Sequence, residues 1–328
     1  MLSIDWTKGN GWQKPQILPY GPIKMETSAT ALHYGISVHE GVSIVQNPDS
    51  MKMQAFRAEE HLQAFYDSTN HLDMPLFDIN ELHECIKELV VLDKEWIEIV
   101  SALNDQFYAR MLHFSTDKTL GVRTPQATKL MVMLNPVMLK QKPISLKCSH
   151  NVNKNWPLGH GQHRVSGNLG PLMPSVTNAK MNGFDDVLWL LDDYIKEMTI
   201  LNVFMLQQSR FGHLELITPP DDGCILNGVS RKTILDMSDE ITAKFGCKVV
   251  EREISIHELI NSDKEDRLVS MFGVSTHCPL QPVTRLCYRD TTMLLDTKQG
   301  AEFNEALAAM IESKMQGDPS HKWITKME

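Results

Sequence analysis

Residues 163–193, "HRVSGNLGPLMPSVTNAKMNGFDDVLWLLDD", change character twice in one short stretch. The opening is a glycine-bounded loop. "PSVTNAKMNG" then reads as a helix stopped by Gly183, because glycine enters the left-handed conformation that ends helices without steric cost. "FDDVLWLLDD" carries an uninterrupted apolar run over 187–191, bounded by aspartates, the signature of a strand buried on both faces. A loop, a helix and a buried strand in succession require helix and sheet packed in layers.

The same alternation extends outward. Downstream, "NVFML" and "HLELI" read as strands flanking "QQSRFG", and the turn-rich "TPPDDGCILNGVSR" feeds a helix. Ile234, Met237, Ile241 and Phe245 share one face of that helix, which ends at Gly246. "KVVEREI" alternates as a strand, and Phe303, Leu307, Met310 and Ile311 mark a last helix. Upstream, Leu82, Ile86, Leu89 and Leu92 fall at helical spacing behind Asp78, a good N-cap, while "KLMVML" (129–134) and "ISLKC" (144–148) read as strands. Without regular βαβ alternation the chain reads as two α+β domains: a small N-terminal α/β domain over 1–135, a connection over 136–160 and a large domain over 161–328.

Composition narrows the function. With 42% hydrophobic and 22% charged residues over 328 positions, the chain has enough apolar material for two cores. A net charge of −9 and the lack of any Lys/Arg block argue against a nucleic-acid surface. No apolar run reaches membrane-spanning length; "KLMVMLNPVMLK" is broken by Asn135 and Pro136. Six cysteines without a C-x-x-C pair suit free thiols in a reducing compartment, mitochondrial or cytosolic. The first residues carry neither a secretory core nor an Arg-rich presequence pattern.

Six segments in order resemble the branched-chain aminotransferases, fold-type IV pyridoxal-phosphate enzymes: "ALHYGISVHEGVSIV" (31–45), "MPLFD" (74–78), "GNLGP" (167–171), "DDVLWL" (185–190), "TPPDDGCILNGVSR" (218–231) and "FGVSTHCPLQPV" (272–283). The resemblance covers nearly the whole chain, with Met1 falling inside the family's first strand. It implies a small α/β domain, a larger pseudo-barrel domain, a cofactor between them and a homodimer. It also implies a lysine that forms a Schiff base, a carboxylate on the pyridine nitrogen, and an arginine, helix amides and hydroxyls on the phosphate.

Laid on this sequence, those parts are incomplete. The lysine position is Arg164, and a guanidinium offers no nucleophilic amine. The tyrosine five residues on is Leu169, the phosphate arginine is Ala64, and Ile200 stands at the threonine of the family's E-x-G-T pattern. Glu197 keeps the pyridine-partner position, Val229 and Ser230 open the phosphate helix, and Thr276 matches a phosphate threonine. Tyr34, Tyr108 and Arg110 align with substrate-side residues, whereas His39 replaces an aromatic and His277 a small residue. Of the family's C-x-x-C pair Cys278 remains and Gln281 replaces its partner.

Bland readings stand beside these. Lys180, in "NAKMNG", reads as a solvated helix residue, and His160 and His163 as loop residues without further metal ligands. Glu197 is either a cofactor ligand or a structural polar residue; Arg110 and Tyr108 read as internal anchors. The expectation is a catalytically inactive aminotransferase homologue, with no cofactor, serving as a structural or interaction subunit of a larger assembly, as a homodimer or a heterodimer with a paralogue. The alternatives are an active enzyme using another lysine, and a sensor holding a phosphate ligand non-covalently through Ser230, Thr276 and Arg164.

Overall fold

The computed structural model describes residues 1–101, 106–137, 142–149, 151–295, 297–318 and 320–328. Contacts divide the chain into two compact units. Unit 1 is Met1–Leu139, His163–Gly167 and Ser313–Glu328; unit 2 is Lys140–Gln162 and Asn168–Glu312. Residues 163–167 and 313–328, read from sequence as part of the second domain, thus belong to unit 1. Within the connection read over 136–160, residues 138–141 and 150 lie outside the described residues.

Unit 1 is built on an antiparallel sheet. Its strands are β1 (Leu2–Thr7), β2 (Gly11–Trp12), β3 (Gln16–Ile17), β4 (Ser37–Gln46), β5 (Met53–Phe56), β6 (Gln106–Ser115), β7 (Ala127–Val137) and, from the C-terminus, β17 (Ile324–Lys326). The order is β17-β5-β4-β6-β7-β1-β2, with β3 on β1. Helices α1 (Thr30–Tyr34), α2 (Ala58–His71), α3 (Ile79–Leu92) and α4 (Lys94–Ser101) accompany it. The core joins Val42 and Ile44 of β4 to Leu62 and Phe65 of α2 and to Leu82, Ile86 and Leu89 of α3, the periodic positions legible in the sequence.

Unit 2 holds β8 (Ile144–Ser149), β9 (Asp186–Leu191), β10 (Tyr194–Met198), β11 (Asn202–Gln208), β12 (Leu214–Thr218), β13 (Cys247–Glu251), β14 (Leu268–Ser275), β15 (Cys278–Tyr288) and β16 (Thr291–Leu294). The path β10-β9-β8-β15-β14-β11 closes through a β10–β11 pairing into a barrel, which β12 and β13 extend from β11. Its helices are α5 (Met173–Met181), α6 (Val229–Asp236), α7 (Ser238–Phe245), α8 (Ile256–Lys264) and α9 (Lys298–Met315), the last running three residues into unit 1. The single helix expected over Ile234–Phe245 is two, parted at Met237. The apolar face survives the break, since Ile234, Met237 and Ile241 are fully buried. Ser238, Asp239 and Glu240 suit a new helix start, where acidic side chains meet the positive end of the dipole.

Helix α3 has the best-defined start in unit 1: the Asp78 carboxylate accepts from the Asn80 and Glu81 amides at 2.8 and 3.0 Å. Asp78→Ala leaves those amides without their cap. The substitution should cost about 1 kcal/mol, read as a lower urea midpoint with an unchanged slope.

Candidate functional site

In unit 1 the decisive residue is Glu40. Val38, Val42 and Ile44 of β4 enter the core at alternate positions, and Glu40 shares their parity, so it is buried with them at 2% exposure. A buried carboxylate is tolerable only when donors surround it. Three do. The Gly41 N–H donates to Oε1 at 2.9 Å, the His61 ring Nδ1 lies 3.3 Å from the same oxygen, and Arg164 Nε lies 2.9 Å from Oε2. Burial pushes the Glu40 carboxyl up, but Arg164, His61 and the Gly41 amide outweigh it and hold the group at about 2.

Main-chain bonds fix Arg164 as firmly as its side chain does. Val165 bridges Val38 in antiparallel register, the His39 N–H donates to the Arg164 carbonyl at 3.0 Å, and the Arg164 N–H donates to Ser68 Oγ of α2 at 3.2 Å. Arg164 is therefore an ion-pair partner for a core carboxylate. Ala64, one turn beyond His61 on α2, brings no positive charge.

At the other parity of β4, His39 Nδ1 lies 3.1 Å from Ser166 Oγ. Burial lowers its pKa to about 3, Arg110 and Arg164 push the same way, and Glu40 opposes them, so the ring is neutral. Gly41 pairs with Arg110 on β6, and the Tyr108 ring fills the space a side chain at Gly41 would need. Tyr108 is buried and hydrogen-bonded to Arg110, and burial, then the Glu40 charge, raises its phenol. Tyr34 ends α1, partly exposed, with its ring against His33.

Unit 2 centres on a second buried carboxylate. Glu197 Oε1 accepts from Asn155 Nδ2 at 2.8 Å and meets Lys154 Nζ at 2.9 Å; Oε2 accepts from the Leu226 N–H at 3.0 Å. Lys154 also donates to the Thr199 and Met198 carbonyls at 2.8 and 3.3 Å. An ammonium using all three N–H donors has no lone pair to offer a carbonyl. At the start of α6, Gly228 caps without a side chain, and a Cβ there would strike Asn202 Oδ1. The amides of Val229 and Ser230 thus open a helix end suited to an anion. Arg231, buried, braces the same turn on Thr218 Oγ1, the Pro219 carbonyl and Glu251.

The remaining positions are placed as follows. Thr276, buried, and His277 form the turn between β14 and β15, with His277 Nδ1 3.2 Å from Ser275 Oγ. Leu169 packs against the cluster of Leu172, Ala179, Val187 and Trp189, so an apolar residue there serves a local core. Ile200 is exposed beside Thr199, whose hydroxyl donates to Asp186 at 2.5 Å. Cys278 is buried and its thiol raised to about 12 by that burial. Lys180 is exposed on the last turn of α5. His163 stacks on His71 at 4.0 Å in unit 1 while His160 is exposed in unit 2. Sequence reading passed over Glu40, His61, Lys154 and Asn155; only the parity of Glu40 among the β4 core residues signalled one of them.

Three buried groups make unit 1 sensitive to acid. His39 and His113 sit at about 3 against 6.5 for a free ring, burial being the largest cause in both, so the unfolded chain takes up their protons first and stability falls from about pH 6.5 downward. Glu40, at about 2 against 4.5, loses its contribution between those two values as pH drops. The Tm should fall between pH 7 and pH 5, and His113→Gln, which keeps a polar group toward Thr128, should flatten that fall.

Residues 48–286 match the family model for amino-transferase class IV. The cytosolic branched-chain-amino-acid aminotransferase of Ovis aries is 33% identical over 307 residues, covering 91% of this chain and 78% of that protein. The mitochondrial one of Bos taurus is 30% identical over 336 residues, covering 99% and 83%. Among solved structures, the Escherichia coli branched-chain amino acid aminotransferase superposes with a TM-score of 0.76 at 21% identity over 100% of both chains. The one from Thermobaculum terrenum, in its PLP form, gives 0.75 at 18% over 99% and 98%; another, complexed with N-(5'-phosphopyridoxyl)-L-glutamate, gives 0.72 at 22% identity over 99% and 98%. The branched-chain aminotransferase relatives and these ligand-bearing neighbours overturn the expectation of no cofactor, which rested on the residues read at the family's lysine and arginine positions. Two α+β units, a closed barrel, the matching family model and relatives aligned along almost the whole length place this chain in the class IV aminotransferases, in the branched-chain-amino-acid aminotransferase family.

Proposed function

We propose that this chain holds a pyridoxal-phosphate-type ligand without covalent attachment, does not turn over amino acids, and serves as a structural or interaction subunit. The observation that carries this is Arg164 on Glu40 at 2.9 Å. A guanidinium cannot form an imine with the ligand's aldehyde or relay a proton as a free base. Reverting the residue leaves the carboxylate in place: in Arg164→Lys the new amine would face the same buried negative charge and stay protonated.

The fit to the ligand is divided. Glu197, the α6 amides at Val229 and Ser230, and Thr276 are all in unit 2 and suit a ring nitrogen and a phosphate. When bound, such a ligand supplies an aldehyde and an electron-accepting ring. Arg164 and Ala64 supply neither the amine nor the counter-charge that the resemblance implied. A substitute lysine finds no support at Lys180, which is exposed, or at Lys154, whose donors are taken up around Glu197.

A dimer fits this role. Leu32 on α1 and Val122 on the loop after β6 are 63% and 84% exposed. A homodimer, or a heterodimer with a paralogue, would cover them. The relatives' names include cytosolic and mitochondrial forms, and the six cysteines are free, in keeping with either reducing compartment.

The test is incubation of the purified protein with pyridoxal phosphate, borohydride treatment and intact mass measurement, beside a leucine to 2-oxoglutarate assay. Reversible uptake is expected, weakened by Ser230→Asp, with no added mass and no glutamate formed by the native chain or by Arg164→Lys. A reduced adduct on any lysine, or turnover by either protein, would contradict the reading.

A further inference from the structure

Helices α3 and α4 bury one side thoroughly: Leu82, Ile86, Leu89, Val90 and Ile97 are within 3% of full burial. Yet the segment carries a second apolar set facing water. Val91, Leu92, Trp96 and Ile99 are 52%, 65%, 67% and 58% exposed. Trp96 and Ile99, at i and i+3, share one face of α4, and Leu92 closes α3 just before the join at Asp93. The inner face already completes the core, so folding of this chain does not require these side chains. An exposed tryptophan within such a stripe is the kind of residue that anchors protein interfaces.

The charges around the stripe say what covers it. Between Ile79 and Ser101 there are six carboxylates (Glu81, Glu84, Glu88, Asp93, Glu95, Glu98) against two lysines, a net −4 of the chain's −9. Both lysines are engaged: Lys87 on Glu84 at 2.7 Å, and Lys94 on Glu328 at 2.5 Å and near Glu98 at 3.9 Å. The half-buried Cys85 thiol registers the same field, raised first by burial and then by Glu88, Glu81 and Glu84. A second copy docked here about a two-fold axis would set like charges against like. An anionic bilayer would be repelled for the same reason.

We infer that the α3–α4 stripe is a docking site for a basic amphipathic helix of another protein, its apolar face on Leu92, Trp96 and Ile99 and its lysines or arginines on the flanking glutamates. This is the helix-on-apolar-surface mode with complementary rims. The surface rests on the interaction role proposed above and is indifferent to the fate of the cofactor chemistry, so failure here leaves that reading standing.

The probe is a labelled 18-residue leucine–lysine amphipathic peptide, titrated by fluorescence anisotropy against the full chain, with a lysine–serine peptide of equal charge as control. Saturable one-to-one binding is expected for the first and none for the second. Trp96→Ser with Ile99→Ser should weaken it about tenfold or more. The folded surface variant Glu88→Gln/Glu95→Gln/Glu98→Gln should weaken it too and flatten its salt dependence, which guards against a misfolded apolar variant. Equal binding of both peptides, or binding untouched by both variants, overturns the proposal. So does a sedimentation mass that halves in Trp96→Ser/Ile99→Ser, which would make the stripe a self-association face, or Trp96-dependent binding to phosphatidylserine vesicles.

Discussion

A carboxylate set among core residues of a sheet must be met by positive charge, and in unit 1 Glu40 is met by Arg164. The pairing follows from strand parity. Once β4 places Val38, Val42 and Ile44 inward, Glu40 goes with them, and the 163–167 segment has to lie where its arginine can reach. His61 and the Gly41 amide complete the shell, and the backbone bonds of Arg164 to β4 and α2 hold it closed. Removing one charge from such a pair leaves the other buried alone, commonly a loss of about 3–5 kcal/mol. The position that the family resemblance gives to a reactive amine is here a structural ion pair.

Unit 2 follows a similar rule to a different end. Glu197 is surrounded by Lys154, Asn155 and the Leu226 amide, and the last of these links it to the loop that leads into α6. Asn202 supports that loop through the Leu226 carbonyl, and its side chain leaves room only for glycine at 228. The carboxylate and the open helix end are thus held by one connected set of bonds. These groups suit an anion and a ring nitrogen whatever stands at position 164, so absence of a cofactor does not follow from Arg164 alone.

Much of this was legible in the sequence for plain reasons. The helix behind Asp78, the buried strand over 186–191 and the stops at Gly183 and Gly246 are local signals, and local physics reads them. Strands β14 and β15 have no counterpart among the elements read from the sequence, because their residues carry no clear period of their own. Completion of the barrel rests on the parallel pairing of β8 with β15, Ile144 on Val283, a long-range contact that no local pattern announces. Among site residues, identity was visible at Arg164, Ala64 and Leu169, but partnership was not. Glu40 and Arg164 are 124 positions apart, and only the fold sets them 2.9 Å from one another.

The most direct measurement is a double-mutant cycle on that pair, with Glu40→Gln, Arg164→Met and the double variant compared by urea unfolding. If Arg164 exists to answer Glu40, Arg164→Met alone costs about 3–5 kcal/mol and the double variant recovers most of it. Near-neutral stability of Arg164→Met, or losses that simply add, would show that the arginine is not committed to the carboxylate and would contradict the account.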